Sequence, residues 1–398
     1  MAVDRTPEMT PTEALSRGPA VWALAAGQML GFACQFFVFA GLVLFWHQDL
    51  GWAKSTLALG PMLALLVGAA FAPLIGRIVD RGRGPELMVG GAMVGVVGLF
   101  LMSQVQTPLQ WALIWMLLGI GQLASQYEVC FGFLIRRLGP DARRAIIRVT
   151  LVAGFASTVS IPAYSALAEG FGWRVSLLTG AAVMAFAVVP LNWWGTRAIR
   201  AGAPPPVVQP SAPMGAGTRS RRLWLLAVMF SFSGLSHWMI AHLLIPVLVE
   251  RGYPHELAVF AVAVMGPAQV AGRFALMQAE TRISNARATL FTLSAMVLAT
   301  CFLALSGAGV GMVIAYVLIQ GSAVGITTIL RPVLIADMLG AENYGSNAGR
   351  IQVPSMIINA FAPMIGALLL EGPGFWALIG LSLTLSLTSI AALRALRG

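Results

Sequence analysis

Apolar runs long enough to cross a membrane recur along nearly the whole chain, and this pattern constrains the fold more than any other feature. The sequence is 58% hydrophobic and only 10% charged, and its mean hydropathy is +0.82. A span needs about 20 apolar residues as a helix, and hydrocarbon offers no partners for unpaired backbone groups. The runs are continuous rather than alternating, which favours helices over a barrel. The sequence therefore predicts an all-α membrane protein and excludes a single soluble core.

Twelve transmembrane helices are predicted, and their even number places both termini on one side. Of the 25 Lys and Arg residues, only Lys54, Arg174 and Arg251 fall in the alternate set of loops, which leaves 22 in the other set. Positive loops stay inside, so both termini are expected to be cytoplasmic. The predicted spans are residues 19–45, 56–78, 86–105, 109–136, 145–168, 174–195, 223–249, 256–277, 286–306, 309–333, 348–370 and 373–393.

The net charge of +10 does not indicate nucleic acid binding, because the arginines are spread over seven cytoplasmic segments without interleaved aromatic residues. Topology and contact with anionic lipid headgroups explain them. Cys34, Cys130 and Cys301 all lie inside predicted spans and are interpreted as packing residues. The sequence has no P-loop and no His/Cys cluster with metal-ligand spacing. We therefore expect no metal, no cofactor and no enzymatic activity.

One Pro- and Gly-rich polar segment, "RAIRAGAPPPVVQPSAPMGAGTRSRR", interrupts the series of spans at residues 197–222. Its composition predicts a flexible cytoplasmic linker. The predicted organisation is a cytoplasmic tail (1–18), a six-helix half (19–196), the linker (197–222) and a second six-helix half (223–398). This is the layout of two membrane halves related by an axis along the membrane normal.

The loop after the second span, "GRIVDRGRG", resembles the loop motif of the major facilitator superfamily. The matching positions are Gly76, Asp80, Arg81, Gly82 and Arg83. The resemblance implies the major facilitator fold, alternating access, a monomer, and a gating contact of Asp80 with the start of the eleventh helix, "YGSNAGR". In that helix Ser346 or Asn347 is the predicted N-cap. The alternative is a solvated turn whose arginines only set the topology.

Ionisable side chains inside a membrane are costly and are treated as functional candidates. Glu128 in the fourth span either pairs with Arg148 in the fifth, carries a proton or gates, or faces solvent. His242 and His237 in the seventh span are candidates for proton coupling or are held by interhelical hydrogen bonds. Pro162 is predicted to break the fifth helix.

The segments "QYE", "GPAQVAGR" and "RRAIIRVTLVAGFASTVSIPAYSALAEGFGWR" look like those of bacterial monocarboxylate and oxalate/formate transporters. That resemblance implies that Arg273 binds a substrate carboxylate; the alternative is that its side chain only extends to the lipid headgroups. Arg331, Gln269 and Tyr127 are further substrate-binding candidates, and the alternative for Arg331 is an ion pair with Asp337 or Glu342. Monocarboxylate carriers place an Asp where this chain has Gln269, so coupling would pass to Glu128 or His242.

The predicted function is secondary active transport, by symport or antiport, of a small organic solute across a bacterial inner membrane. A monocarboxylate is favoured, with protons as a candidate coupling ion and membrane lipids as the surroundings. Efflux of a hydrophobic or cationic compound, with Glu128 facing the cavity, is the alternative.

Overall fold

The computed structural model describes residues 11–52, 54–202, 216–279 and 283–396. Within these ranges the regular structure is helical throughout and contains no strand. Most of the predicted tail and the central part of the predicted linker, residues 1–10 and 203–215, lie outside the described residues.

Among the described residues, eleven α-helices precede residue 203. Gly139–Asp141 forms a 3₁₀ turn after the seventh helix, and Met184–Val188 forms a π-helical turn that joins the tenth to the eleventh. The helices are α1 (Pro11–Arg17), α2 (Pro19–Gln35), α3 (Val38–Leu50), α4 (Lys54–Asp80), α5 (Gly84–Ser103), α6 (Pro108–Ser125), α7 (Tyr127–Leu138), α8 (Ala142–Ala153), α9 (Ala156–Phe171), α10 (Trp173–Val183) and α11 (Val189–Gly202).

Eight α-helices are described from residue 216 onward, with a 3₁₀ turn at Leu305–Ala308. They are α12 (Ala216–Ala241), α13 (Leu244–Glu250), α14 (His255–Gln278), α15 (Asn285–Ala304), α16 (Val310–Leu339), α17 (Tyr344–Ala360), α18 (Ala362–Glu371) and α19 (Phe375–Ala395).

Ten described segments are long and apolar enough to cross a membrane, and the bent pair Tyr344–Ala360 and Met364–Glu371 raises the number to 11. One of the ten, Pro108–Phe171, is 64 residues long and contains the turn at Gly139–Asp141. The all-helical membrane architecture is thus confirmed, and the number of twelve spans stays a prediction.

The chain forms two compact units. The first comprises Met1–Gly68, Ile75–Ser211 and Ala341–Gly345, and the second comprises Ala69–Leu74, Ala212–Gly340 and Ser346–Gly398. Each unit therefore consists mainly of one predicted half and includes one short segment from the other half. The predicted boundaries of tail and linker stay predictions.

Aromatic side chains form much of the core of the first unit. Trp46 is fully buried, and its ring lies 4.8 Å from that of Trp111 in an edge-on contact, a geometry favoured by the ring quadrupoles. Nearby, Asp49 accepts hydrogen bonds from the indole of Trp173 (2.8 Å) and the guanidinium of Arg174 (2.9 Å). These two bonds hold the pKa of Asp49 below its ordinary value and join the end of α3 to the start of α10.

Five of the predicted spans are interrupted between two described helices. The interruptions follow α2, α6, α8, α12 and α17, at Phe36–Phe37, Gln126, Gly154–Phe155, His242–Leu243 and Phe361. The predicted break at Pro162 is wrong, because Pro162 lies inside α9 and the fifth span is interrupted before that helix begins. Non-helical backbone at membrane depth is tolerated only where protein buries it or a cavity faces it, and discontinuous helices are a feature of transporters.

Candidate functional site

Asp80, the last residue of α4, contacts the start of α17. The backbone N–H of Gly345 donates to Asp80 Oδ1 at 2.7 Å, and both residues belong to the first unit. A carboxylate at a helix N-terminus accepts an otherwise unpaired N–H and faces the positive end of the helix dipole. The predicted N-caps Ser346 and Asn347 are wrong, because α17 begins at Tyr344 and its first-turn acceptor comes from another helix.

The glycines of the loop motif have distinct structural roles. Gly82 has φ +81°, and its N–H donates to Val79 O (2.9 Å) while the N–H of Arg83 donates to Ile78 O (3.2 Å). This pair of bonds closes α4 with a Schellman-type cap, which favours glycine at that position. The carbonyl oxygen of Gly76 lies so close to Gly345 that a Cβ on Gly345 would clash with it. Arg81 and Arg83 are exposed.

Tyr127 and Glu128 are the first two residues of α7, which forms the second part of the interrupted fourth span. Gln126 is extended (φ −97°, ψ −156°) between α6 and α7, and Glu128 lies half-buried in the first turn of α7. The Tyr127 ring stacks on Phe131 at 4.7 Å. The interruption frees the carbonyl of Ser125, which accepts a 2.8 Å hydrogen bond from Gln28 Nε2.

The structure does not bring Glu128 and Arg148 into an ion pair. Arg148 Nη1 donates to the carbonyl oxygens of Ser16 and Arg144, each at 3.1 Å. Glu128 makes no ion pair with any residue that the structure describes. The remaining alternatives for Glu128 are therefore a role in proton transfer or gating, or exposure to solvent.

Arg273 and Arg331 lie on α14 and α16, which pack against each other in the second unit. Arg273 is 5% exposed, and its Nε donates to the carbonyl of Gly325 at 3.4 Å. The guanidinium of Arg331 lies 5.3 Å from the ring centre of Phe230, a cation–π distance. Gln269 lies against Gly325, where a Cβ on the glycine would clash with the Gln269 backbone.

Small residues allow this close approach of α14 and α16. A Cβ on Gly272 would clash with Ser322, and one on Gly321 would meet Met265 O at 2.9 Å. Such glycine contacts are the usual means of close helix packing in membranes. They fix the position of the buried arginine relative to the neighbouring helix.

The two histidines of the seventh span have different surroundings. His237 is buried, and its Nδ1 accepts a 3.2 Å hydrogen bond from Gln320 Nε2. His242 is exposed at the interruption between α12 and α13, and its Nδ1 donates to Trp238 O at 2.7 Å. Of the two, only His242 presents its ring outside the helix packing.

Sequence reasoning missed two residues at these sites, Ser125 and Gly345. Ser125 supplies the carbonyl at the interruption of the fourth span, and Gly345 supplies the N–H that Asp80 accepts. The signal for Ser125 was the polar cluster "GQLASQYE" within an apolar run, and the signal for Gly345 was a glycine in the opening turn of a predicted helix.

The family model of the Major Facilitator Superfamily matches residues 24–349. The chain belongs to this superfamily. No curated protein matches it at a significant level. Within the described ranges no group of three or more His, Cys, Asp or Glu side chains could hold a metal ion.

Solved structures of superfamily transporters share the fold of this chain. The superfamily transporter FucP in its outward conformation is 14% identical with a TM-score of 0.71, covering 96% of this chain and 99% of its own. The human organic anion transporter MFSD10 is 13% identical with a TM-score of 0.71, covering 97% and 100%. A bacterial homologue of the iron transporter ferroportin in its outward-facing state is 12% identical with a TM-score of 0.69, covering 97% and 99%. At these identities the likeness shows the fold, and this superfamily member is a multi-pass membrane protein with a transporter fold.

Proposed function

We propose that this superfamily member is a secondary active transporter that carries a small organic anion of the monocarboxylate type by alternating access. The observation that carries the proposal is Arg273, a residue only 5% exposed that lies within the candidate membrane span Phe260–Gln278. A buried charge is expensive and is retained at membrane depth where it serves a substrate or ion.

The chemistry of the second unit suits a carboxylate ligand. Arginine keeps its charge and presents five N–H donors in a planar fork that matches two carboxylate oxygens. Arg331 supplies a second guanidinium from the helix packed against α14, and Gln269 supplies an amide one turn before Arg273. Tyr127, in the first unit, is the further substrate-binding candidate.

A ligand screen by thermal unfolding tests this substrate class. Ligands that bind only the folded protein stabilise it, by about 2.7 kcal/mol at a concentration 100 times Kd. We expect short monocarboxylates to raise the unfolding temperature of the wild type and of Arg394→Gln, a control at the exposed end of α19, but not of Arg273→Gln. Stabilisation of Arg273→Gln equal to that of the wild type would contradict the role of Arg273.

Efflux of hydrophobic or cationic compounds is the second candidate, and Glu128 favours it. Its half-buried carboxylate opens α7 and makes no ion pair among the described residues. In the same screen this function requires that organic cations stabilise the wild type and that Glu128→Gln abolishes the effect.

We further propose that coupling, by protons or another ion, uses Glu128 or His242 and that the motif residues Gly76, Asp80, Arg81, Gly82 and Arg83 act in gating. We also propose a monomer, as the superfamily resemblance implies, in a bacterial inner membrane. The arginine distribution supports an orientation with both termini cytoplasmic. Fusions of a reporter that is active only in the cytoplasm to each of the two termini test the orientation. Both fusions should be active.

A further inference from the structure

A surface groove of about 660 Å³ lies between the first turns of α5 and the last turns of α11, within the first unit. Its volume is in the range of small-molecule sites in proteins. The residues that give it its character are Glu86, Val89, Gly90, Trp193, Arg197 and Arg200.

The two arginines of this groove are in different states. Arg200 is held by Glu86 through bonds of 2.9 and 3.3 Å and donates to Gly82 O at 3.1 Å. Arg197 is exposed, lies 5.4 Å from the ring centre of Trp193, and forms no ion pair within the described part of the chain. Glu86 and Arg200 neutralise each other, so the groove retains the one positive charge of Arg197.

Apart from Thr196, the uncharged residues that line the groove, Pro85, Val89, Gly90 and Trp193, are apolar. Trp193 is 52% exposed, and a half-exposed indole is typical of the membrane interface. Val89 lines the wall, and a Cβ built on Gly90 would meet no atom within 4 Å. A cation beside an open apolar groove matches the anionic headgroup and the acyl chain of a phospholipid.

We propose that this groove binds an anionic phospholipid, with the lipid phosphate at Arg197 and one acyl chain along Val89 and Gly90. The charge of Arg197 selects an anionic headgroup, as basic pockets between transmembrane helices do. The groove lies where α5 begins after the loop motif and where α11 ends before the linker. The bound lipid therefore belongs to the leaflet on the predicted cytoplasmic side.

Lipid retention measured by native mass spectrometry, after release from nanodiscs of equal parts phosphatidylglycerol and phosphatidylcholine, tests the proposal. The wild type should retain phosphatidylglycerol in preference. In Arg197→Gln the ratio of retained phosphatidylglycerol to phosphatidylcholine should fall about fivefold. This fall is equivalent to about 1 kcal/mol, the contribution of one basic residue near an anionic surface. Arg197→Lys should keep most of it, and Gly90→Leu should reduce retention with the charge unchanged.

Two matched controls separate the groove from general lipid contact. Arg394→Gln removes an exposed arginine at the end of α19, and Gly380→Leu fills open space on the same helix; both should behave as the wild type. Equal retention of the two lipids by the wild type, full retention by Gly90→Leu, or losses as large in the controls would overturn the proposal. Since Gly90→Leu leaves every charge in place, it decides the matter even if Arg197→Gln fails to fold.

Discussion

At the scale of single residues, Asp80 accepts a hydrogen bond from the backbone of Gly345 at the start of α17. Asp80→Asn keeps an oxygen near Gly345 but removes the charge. Hydrogen bonds to charged groups contribute about 1.5–3 kcal/mol and neutral ones about 0.5–1.5. We therefore expect hydrogen exchange of the Gly345 amide to accelerate severalfold and transport to fall, with expression unchanged.

Asp141→Asn is the control for this change, because Asp141 is a turn carboxylate of the same unit that contacts Thr12 and Arg144. It should leave exchange at Gly345 as it is in the wild type. If Asp80→Asn also left exchange and transport unchanged, the loop would serve only as a topology signal.

The sequence identified Asp80 and its partner helix, but not the acceptor geometry at that helix. Capping preferences are local, so Ser346 and Asn347 were the nearest candidates in the sequence. The acceptor that the structure places there is 265 residues away. A local sequence pattern cannot predict so distant a contact. The resemblance of the loop motif to that of the superfamily did predict it.

At the scale of helices, the interrupted fourth span depends on Gln28. The side-chain amide of Gln28 donates a hydrogen bond to the carbonyl of Ser125, which the interruption leaves without an intrahelical donor. Gln28→Leu would leave a buried acceptor without its donor, which costs about 1–3 kcal/mol. A lower unfolding temperature is expected for this variant, and the exposed Gln106→Leu is the control. A Gln28→Leu protein as stable as the control would show that the Ser125 carbonyl has another donor.

The helices themselves were predictable, and their interruptions were not. Averaged hydropathy locates an apolar run but is insensitive to two residues of turn within it, such as Phe36–Phe37. At Pro162 the sequence predicted a break that the structure does not have. Proline inside a membrane helix is tolerated where neighbouring groups satisfy the freed carbonyl. Discontinuity in these spans is thus set by tertiary contacts such as that of Gln28.

At the scale of the whole molecule, the recurrence of apolar runs was sufficient for the fold class, because hydrocarbon permits few architectures. Membership of the superfamily followed from one loop motif together with the repeated layout. The assignment of Ala341–Gly345 to the first unit and Ala69–Leu74 to the second could not be predicted, since it arises from contacts between segments far apart in the chain.

Flux of a monocarboxylate into proteoliposomes, compared among the wild type, Arg273→Lys and Arg273→Gln, is the most direct test of the proposed function. Lysine keeps the charge but loses the planar fork, so substrate binding should weaken by about 1–3 kcal/mol, and the neutral glutamine should weaken it further. The wild type should therefore transport the monocarboxylate, with lower activity in the lysine variant and the lowest in the glutamine variant. Equal flux in all three proteins, or faster export of an organic cation by Arg273→Gln, would contradict an anion transporter built on Arg273.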